Sequence, residues 1–420
     1  MTTSHDSASF PALWLSALLL AAAPVSAAEV AGQGPGPEAT AVTPDTHIPA
    51  DLQALEATIA RLESEHGAYS PALPEQLLSL GQALQAAGRH RDAATVLRRG
   101  AHLARVSSGL YAGTQLPLLE AEIASLMALA DYPAVDQRQT WLHRVQQRAL
   151  SAGPARARAL VRHADWQRLA YLYGIDEEPA HRLADMWELN RQALNELLES
   201  EGDRSPRLLM PLRGMLQTQY LISDLQWQGG PGLYDAYQLV DRGPGAQRSA
   251  YRRDSFQQGL SLLRAMHELQ VGQSGAGAPA TVRTLVQLGD WQQWHGEHQE
   301  ALKTWRRAFA ELAGSDTAQA RRELDELFSA PVPLPDLPGV SLFAPVPKSP
   351  EGDILLEFDV GADGRVTDLL RKDDNSEVSG VAHKLMRKLR RTPFRPRFDP
   401  EVGQPVATNN MLWAYDSKQW

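Results

Sequence analysis

Between about residue 49 and residue 327 the apolar positions recur three and four apart, as in Leu77, Leu80, Leu84 and again in Leu285, Leu288. That spacing lays one apolar stripe along a helix, so it predicts a run of amphipathic helices. Few stretches in this block alternate apolar with polar residues. Past residue 350 the period changes. Ile354, Leu356, Phe358 and Val360 alternate with Leu355, Glu357 and Asp359, the mark of a half-buried strand. Asp363-Gly364 is a turn signal, and a second strand is expected at Val366–Arg371, a helix at Val378–Arg391 and a third strand at Pro405–Tyr415. Residues 328–350 lie between the two blocks and carry seven prolines from Pro331 to Pro350. Proline at that density denies helix hydrogen bonds, so a semi-rigid linker is expected there. The expected fold class is mainly α (helical hairpins over 49–327) followed by a small α+β unit over 351–420.

Within the helical block two segments match at fixed offsets. Leu77-x-x-Leu80-Gly81-x-x-Leu84 is followed by Gly88, Ala93 and Leu97, and Leu285-x-x-Leu288-Gly289 by Gly296, Ala301, Trp305 and Ala308. In both, the glycines are seven apart and an alanine follows twelve after the first. This resembles the tetratricopeptide repeat, in which two antiparallel helices cross where only small residues fit. Gly81, Gly88, Ala93, Gly289, Gly296 and Ala301 are the expected packing positions. Between these copies the pattern is degenerate. Glu120–Leu150 suggests another helix pair, Ala164-Asp165-Trp166-Gln167 echoes Gly289-Asp290-Trp291-Gln292, and Gly174 through Leu194 could complete that unit. Gln228–Ala246 interrupts with glycines. The resemblance implies a concave groove lined by the first helix of each pair. Glu75, Leu78, Gln82 and Gln85 would line it in the early copy, and Arg283, Val286, Asp290 and Gln293 in the late one. Such a surface suits an extended peptide or a partner's helix.

The C-terminal stretch Gly352–Val360, Ala362-Asp-Gly-Arg-Val-Thr-Asp368, Phe394-Arg-Pro396 and Gly403-Gln-Pro-Val406 is similar to the TonB C-terminal domain. That resemblance implies a protein-binding domain that pairs an exposed strand edge with a peptide, and Met411, Leu412, Trp413, Ala414 and Tyr415 are the candidate edge. Seven basic residues without an acidic one (Lys384, Arg387, Lys388, Arg390, Arg391, Arg395, Arg397) form a candidate basic patch for an acidic partner, anionic lipid or peptidoglycan carboxylates.

The first 28 residues change the picture again. Polar Met1–Ser9 precedes the apolar Pro11–Ala23, then Pro24 and small residues, as in a signal peptide cleaved after Ala27 or Ala28, although Asp6 stands where a basic residue is usual. A periplasmic protein is expected, with an uncleaved inner-membrane anchor as the alternative. Residues 29–48 are Gly-, Pro-, Ala- and Thr-rich, a disordered spacer. The sequence has no cysteine, which removes thiolate metal sites, a Cys nucleophile and lipoprotein attachment together. A net charge of −9 argues against nucleic acid as a general partner.

No nucleophile elbow or phosphate-cradling loop appears. His295 and His298 are the most metal-like pair, but they are three apart and fall on an expected turn, so no metal and no cofactor are expected. The expectation is a non-enzymatic scaffold or adaptor holding protein or peptide partners of the cell envelope, with an outer-membrane protein or peptidoglycan in reach. A membrane-anchored TonB-like energy transducer is one alternative. A cell-wall enzyme with an unrecognised helical catalytic domain is the other.

Overall fold

The computed structural model describes residues 50–176, 180–227, 244–341, 344–347 and 351–420. The leader-like segment 1–28, the expected spacer 29–48 and most of the glycine-rich interruption at 228–246 lie outside the described residues. The described chain forms two compact units, one ending before residue 180 and one running from Ala180 to Trp420.

The first unit is a succession of helices: α1 (Ala50–His66), α2 (Leu73–Ala86), α3 (His90–Ser108), α4 (Leu116–Ala128), α5 (Tyr132–Ala149) and α6 (Pro154–Leu172). Each packs on the next, and α2 also touches α4. Proline in the first turn starts α2, α4, α5 and α6, where its missing N–H costs nothing. Leu77, Leu97, Leu119, Val135 and Val145 are among the side chains that close the core.

The second unit continues with α7 (Ala180–Glu201), α8 (Leu209–Trp227), α9 (Pro244–Ser274), α10 (Pro279–Trp294), α11 (His298–Ala313) and α12 (Ala318–Phe328). It ends in a small antiparallel part: β1 (Val332–Pro333), β2 (Ile354–Val360), β3 (Val366–Arg371), α13 (Ser379–Arg391), β4 (Phe394–Arg395), β5 (Arg397–Phe398), β6 (Pro405–Val406) and β7 (Thr408–Tyr415). The fold is therefore mainly helical with a small α+β part. Three strands form one sheet in the order β3-β2-β7, with Ile354 opposite Tyr415 and Leu356 opposite Trp413. Helix α13 covers the face made by Ile354, Leu356, Phe358 and Tyr415, setting Ala382, Leu385 and Leu389 against it.

One turn recurs. After α2, the Arg89 N–H donates to Leu84 O and the Gly88 N–H to Gln85 O. The same pair of bonds joins Asp131 to Leu126 and Ala130 to Met127, then Ile175 to Ala170 and Gly174 to Tyr171, then Glu297 to Gln292 and Gly296 to Gln293. This is the Schellman motif, whose penultimate residue needs a left-handed backbone. Gly88, Ala130, Gly174 and Gly296 all have positive φ. Ala130 bears a Cβ there, which is why this turn escapes a search for glycine. The turns also shift one sequence match. Gly174 falls opposite Gly296, so Gln167 rather than Ala164 corresponds to Gly289, and the 164–167 echo is three residues out of register.

The small-residue positions pack as close helix crossings demand. A Cβ on Gly81 would lie 2.4 Å from Leu97 Cγ, and one on Gly289 would lie 2.4 Å from Trp305 Nε1. Ala93 and Ala301 are fully buried.

The proline-rich segment expected as a linker is packed. β1 pairs antiparallel with β4, and Leu334, Leu337, Val340 and Ala344 are buried. Phe398 of β5 enters the helical core beside Phe309 and Phe328, where three rings meet with centroids 4.8 to 5.7 Å apart. The sheet, the proline-rich strand and helices α10–α12 thus share one structural unit.

Candidate binding surfaces

The expected groove positions divide. Glu75 and Gln82 are exposed, while Leu78 packs against the core. Gln85 turns inward, its Nε2 donating to Ala121 O at 2.7 Å and Ser125 Oγ at 2.8 Å, and so ties α2 to α4. In the late copy the face is occupied by the chain itself. Arg283 pairs with Glu323 and Glu326 of α12, and Val286 is buried. Gln293 is buried and donates to Asp363 O at 2.7 Å and Phe394 O at 3.3 Å. Gly364, at φ +74°, lets the turn come this close, since a Cβ would lie 2.0 Å from Phe394 O.

Asp290 is likewise no groove residue. It sits 1 % exposed and accepts from Arg395 Nη1 at 2.6 Å and Trp305 Nε1 at 3.1 Å. Arg395, 1 % exposed, therefore leaves the basic patch and becomes the centre of a buried cluster. Its Nε donates to Leu327 O at 3.0 Å and its Nη2 to the half-exposed Asp336 at 2.9 Å. Burial, the largest influence, pushes the Asp290 carboxyl up to about 7 against the pull of Arg395.

The rest of the basic patch lies where a helix face should. Lys384, Arg387, Arg390 and Arg391 are exposed on α13, Lys388 lies over the Trp420 ring at 4.8 Å, and Arg397 is half-buried on β5. His298 is bridged between Gln293 Oε1 and Arg365, while His295 packs tilted against the Trp291 ring at 4.2 Å, so the two imidazoles serve packing.

The candidate edge is real for part of its length. Among the described residues β7 pairs only with β2 and stands at the margin of the sheet. Leu355 N donates to Asp373 and Leu355 O accepts from Lys372 N, so this residue turns its backbone toward β3. Its β7 partner Ala414, and Leu412 two residues before it, therefore direct their N–H and C=O groups away from β2. Leu412 is 55 % exposed. Tyr415 is not available: it is buried, and its hydroxyl donates to Pro345 O at 2.7 Å. Trp413 is half-buried against Phe358 and Phe394, and Met411 packs on the same core.

A cleft in the first unit was absent from the sequence reading. It measures about 430 Å³ and lies between α3 and α5 over α4. Arg98, Arg99 and Arg105 line it from α3, and Arg138 and Trp141 from α5. Beneath it Glu122 of α4 is fully buried, and its Oε1 accepts from Arg98 Nε and Arg138 Nε, each at 2.9 Å. One signal could have found it: Glu122 falls on the apolar stripe Leu118, Glu122, Leu126, where an acid must be paired.

No family model matches the chain, and no curated protein does. Among solved structures it is similar to two crystal structures of nearly identical TPR-like repeats from Podosopora anserina. One, a point variant, is 14 % identical with a TM-score of 0.38, over 61 % of this chain and 96 % of that one. The other is 13 % identical with a TM-score of 0.39, over 62 % and 99 %. At those scores the repeat architecture is carried instead by the four matching turns and the two glycine crossings.

Proposed function

We propose that this chain is a non-enzymatic interaction scaffold of the bacterial periplasm, whose helical repeats carry a C-terminal sheet that takes up a partner's strand. The observation that supports it most is the outer edge of β7, where Leu412 and Ala414 offer main-chain donors and acceptors. A strand laid there gains backbone hydrogen bonds without any rearrangement of the sheet. The similarity of residues 352–406 to the TonB C-terminal domain supports the same mode. The periplasmic location is supported by the leader-like residues 1–28.

Leu412→Pro removes an outward N–H and leaves the β2 pairing intact, because proline is tolerated on the open side of an edge strand. The test expresses the tagged full chain in a Gram-negative host, fractionates the cells and compares captured envelope proteins. A partner held by the native chain and by Leu412→Thr, and lost with Leu412→Pro, is the expected result. Equal capture by Leu412→Pro removes the edge-strand mode, and recovery of the chain solely from the cytoplasm removes the location.

A further inference from the structure

Glu122 holds two arginines in an unusual way. Both are gripped by the Nε edge on a single carboxylate oxygen. Among the described residues neither Arg98 nor Arg138 makes another hydrogen bond or ion pair, so both Nη edges are left unused. A guanidinium with its Nη edge free presents two parallel donors matched to a carboxylate. Because Glu122 is wholly buried and cannot move out, the two forks are set in place before any ligand arrives, which lowers the ordering cost of binding.

The surroundings extend the site in one direction. Arg98, His102 and Arg105 stand at i, i+4 and i+7 on one face of α3, a stripe about 10 Å long at the helical rise. Among the described residues, the four arginines of the cleft pair with two carboxylates, Glu122 and the Glu63 that holds Arg99. Trp141 and Leu119 supply an apolar wall. On the far side of Arg99 the next cleft is lined by Glu56 and Glu63, which closes the basic stripe at the α1 end. A stripe of this length spans about three residues of extended peptide, enough for two carboxylates on alternate positions.

We infer that the α3–α5 cleft binds an acidic segment of a partner protein, with Asp or Glu side chains at alternate positions on the Nη edges of Arg98 and Arg138. The cleft lies between the second helices of two pairs, away from the groove positions Glu75 and Gln82. It is independent of the β7 edge, so either binding mode can fail without the other.

The test measures anisotropy of a fluorescein-labelled hexaglutamate peptide titrated with the full chain at about 50 mM and about 150 mM salt, bracketing the range where screening grows. Three variants are compared: Arg98→Gln/Arg138→Gln, Arg98→Lys/Arg138→Lys, and Arg387→Gln/Arg390→Gln on α13. The lysine pair keeps the charge beside Glu122, and so the fold, while removing the paired donors. Expected is saturable binding, weakened about tenfold or more by both cleft variants and little changed by the α13 variant. No binding at either salt overturns the inference, as does binding that the lysine pair leaves untouched. Displacement by succinate or inorganic phosphate at concentrations as low as those of the peptide makes this a site for free anions and overturns the peptide assignment.

Discussion

Arg395→Met tests what joins the sheet to the helices. The native guanidinium makes three bonds, to Leu327 O, Asp290 and Asp336. Asp336 is 45 % exposed at its side chain and can return to water, but Asp290, at 2 %, cannot. Methionine fills much of the arginine's volume, so the loss is chiefly electrostatic: a buried carboxylate left with the Trp305 N–H alone. Breaking one partner of such a pair costs about 3–5 kcal/mol. At about 1.4 kcal/mol per factor of ten, amide protection at about pH 8 in peptides covering 290–305 and 394–398 falls by about 100- to 4,000-fold, read by hydrogen exchange with mass spectrometry. Asp290→Asn/Arg395→Met removes both charges and keeps an acceptor for Trp305, so it recovers a large part of that loss. The pH dependence carries a sign. Folding raises the Asp290 pKa from the ordinary 3.8 to about 7, so between those values the folded state holds a proton that the unfolded state has released. The stability from this group is full below about 3.8 and is lost as pH rises through about 7. Asp290→Asn flattens that slope, and Arg395→Met costs more at pH 8 than at pH 5. A protection loss under about tenfold for Arg395→Met, or pH slopes that coincide with and without Asp290, refutes the reasoning.

Gly289→Ala places a Cβ 2.4 Å from Trp305 Nε1 and costs about 1–3 kcal/mol, whereas Gly296→Ala meets nothing within 4 Å and bears only the strain of φ +87°, about 1 kcal/mol. Thermal unfolding that ranks them the other way contradicts the crossing geometry. A fragment of residues 351–420 lacks Asp290, Gln293, β1 and the Phe309–Phe328 pocket, so its circular dichroism shows no cooperative melt. A sharp melt from that fragment would mean the sheet is self-sufficient.

The helical period, the Gly81 and Gly289 crossings and the strand–turn–strand at 354–371 were all legible, because each is a local rule with a fixed spacing. The misreadings were long-range. Proline density marks 328–350 as a semi-rigid linker, yet a strand such as Val332–Pro333 needs only one neighbour, and that neighbour lies some sixty residues on. Arg395 belonged to a basic run, and nothing local separates it from Arg390. The partner did carry a signal: Asp290 extends the stripe Val282, Val286, as Glu122 extends Leu118 toward Leu126. An acid on an apolar stripe announces a buried pair and leaves its cation unnamed, since the cation is chosen by tertiary contact.

The separation of Asp290 from Arg395 by 105 residues bears on how the protein is made. A chain that emerges N-terminus first, from the ribosome or from an export channel, frees α10 before its cation follows. Through that interval the helices hold an unneutralised acid and an open aromatic pocket awaiting Phe398. The second unit therefore completes late, as a latch closed by residues 394–398. A chain halted before them displays both defects to the quality-control proteases.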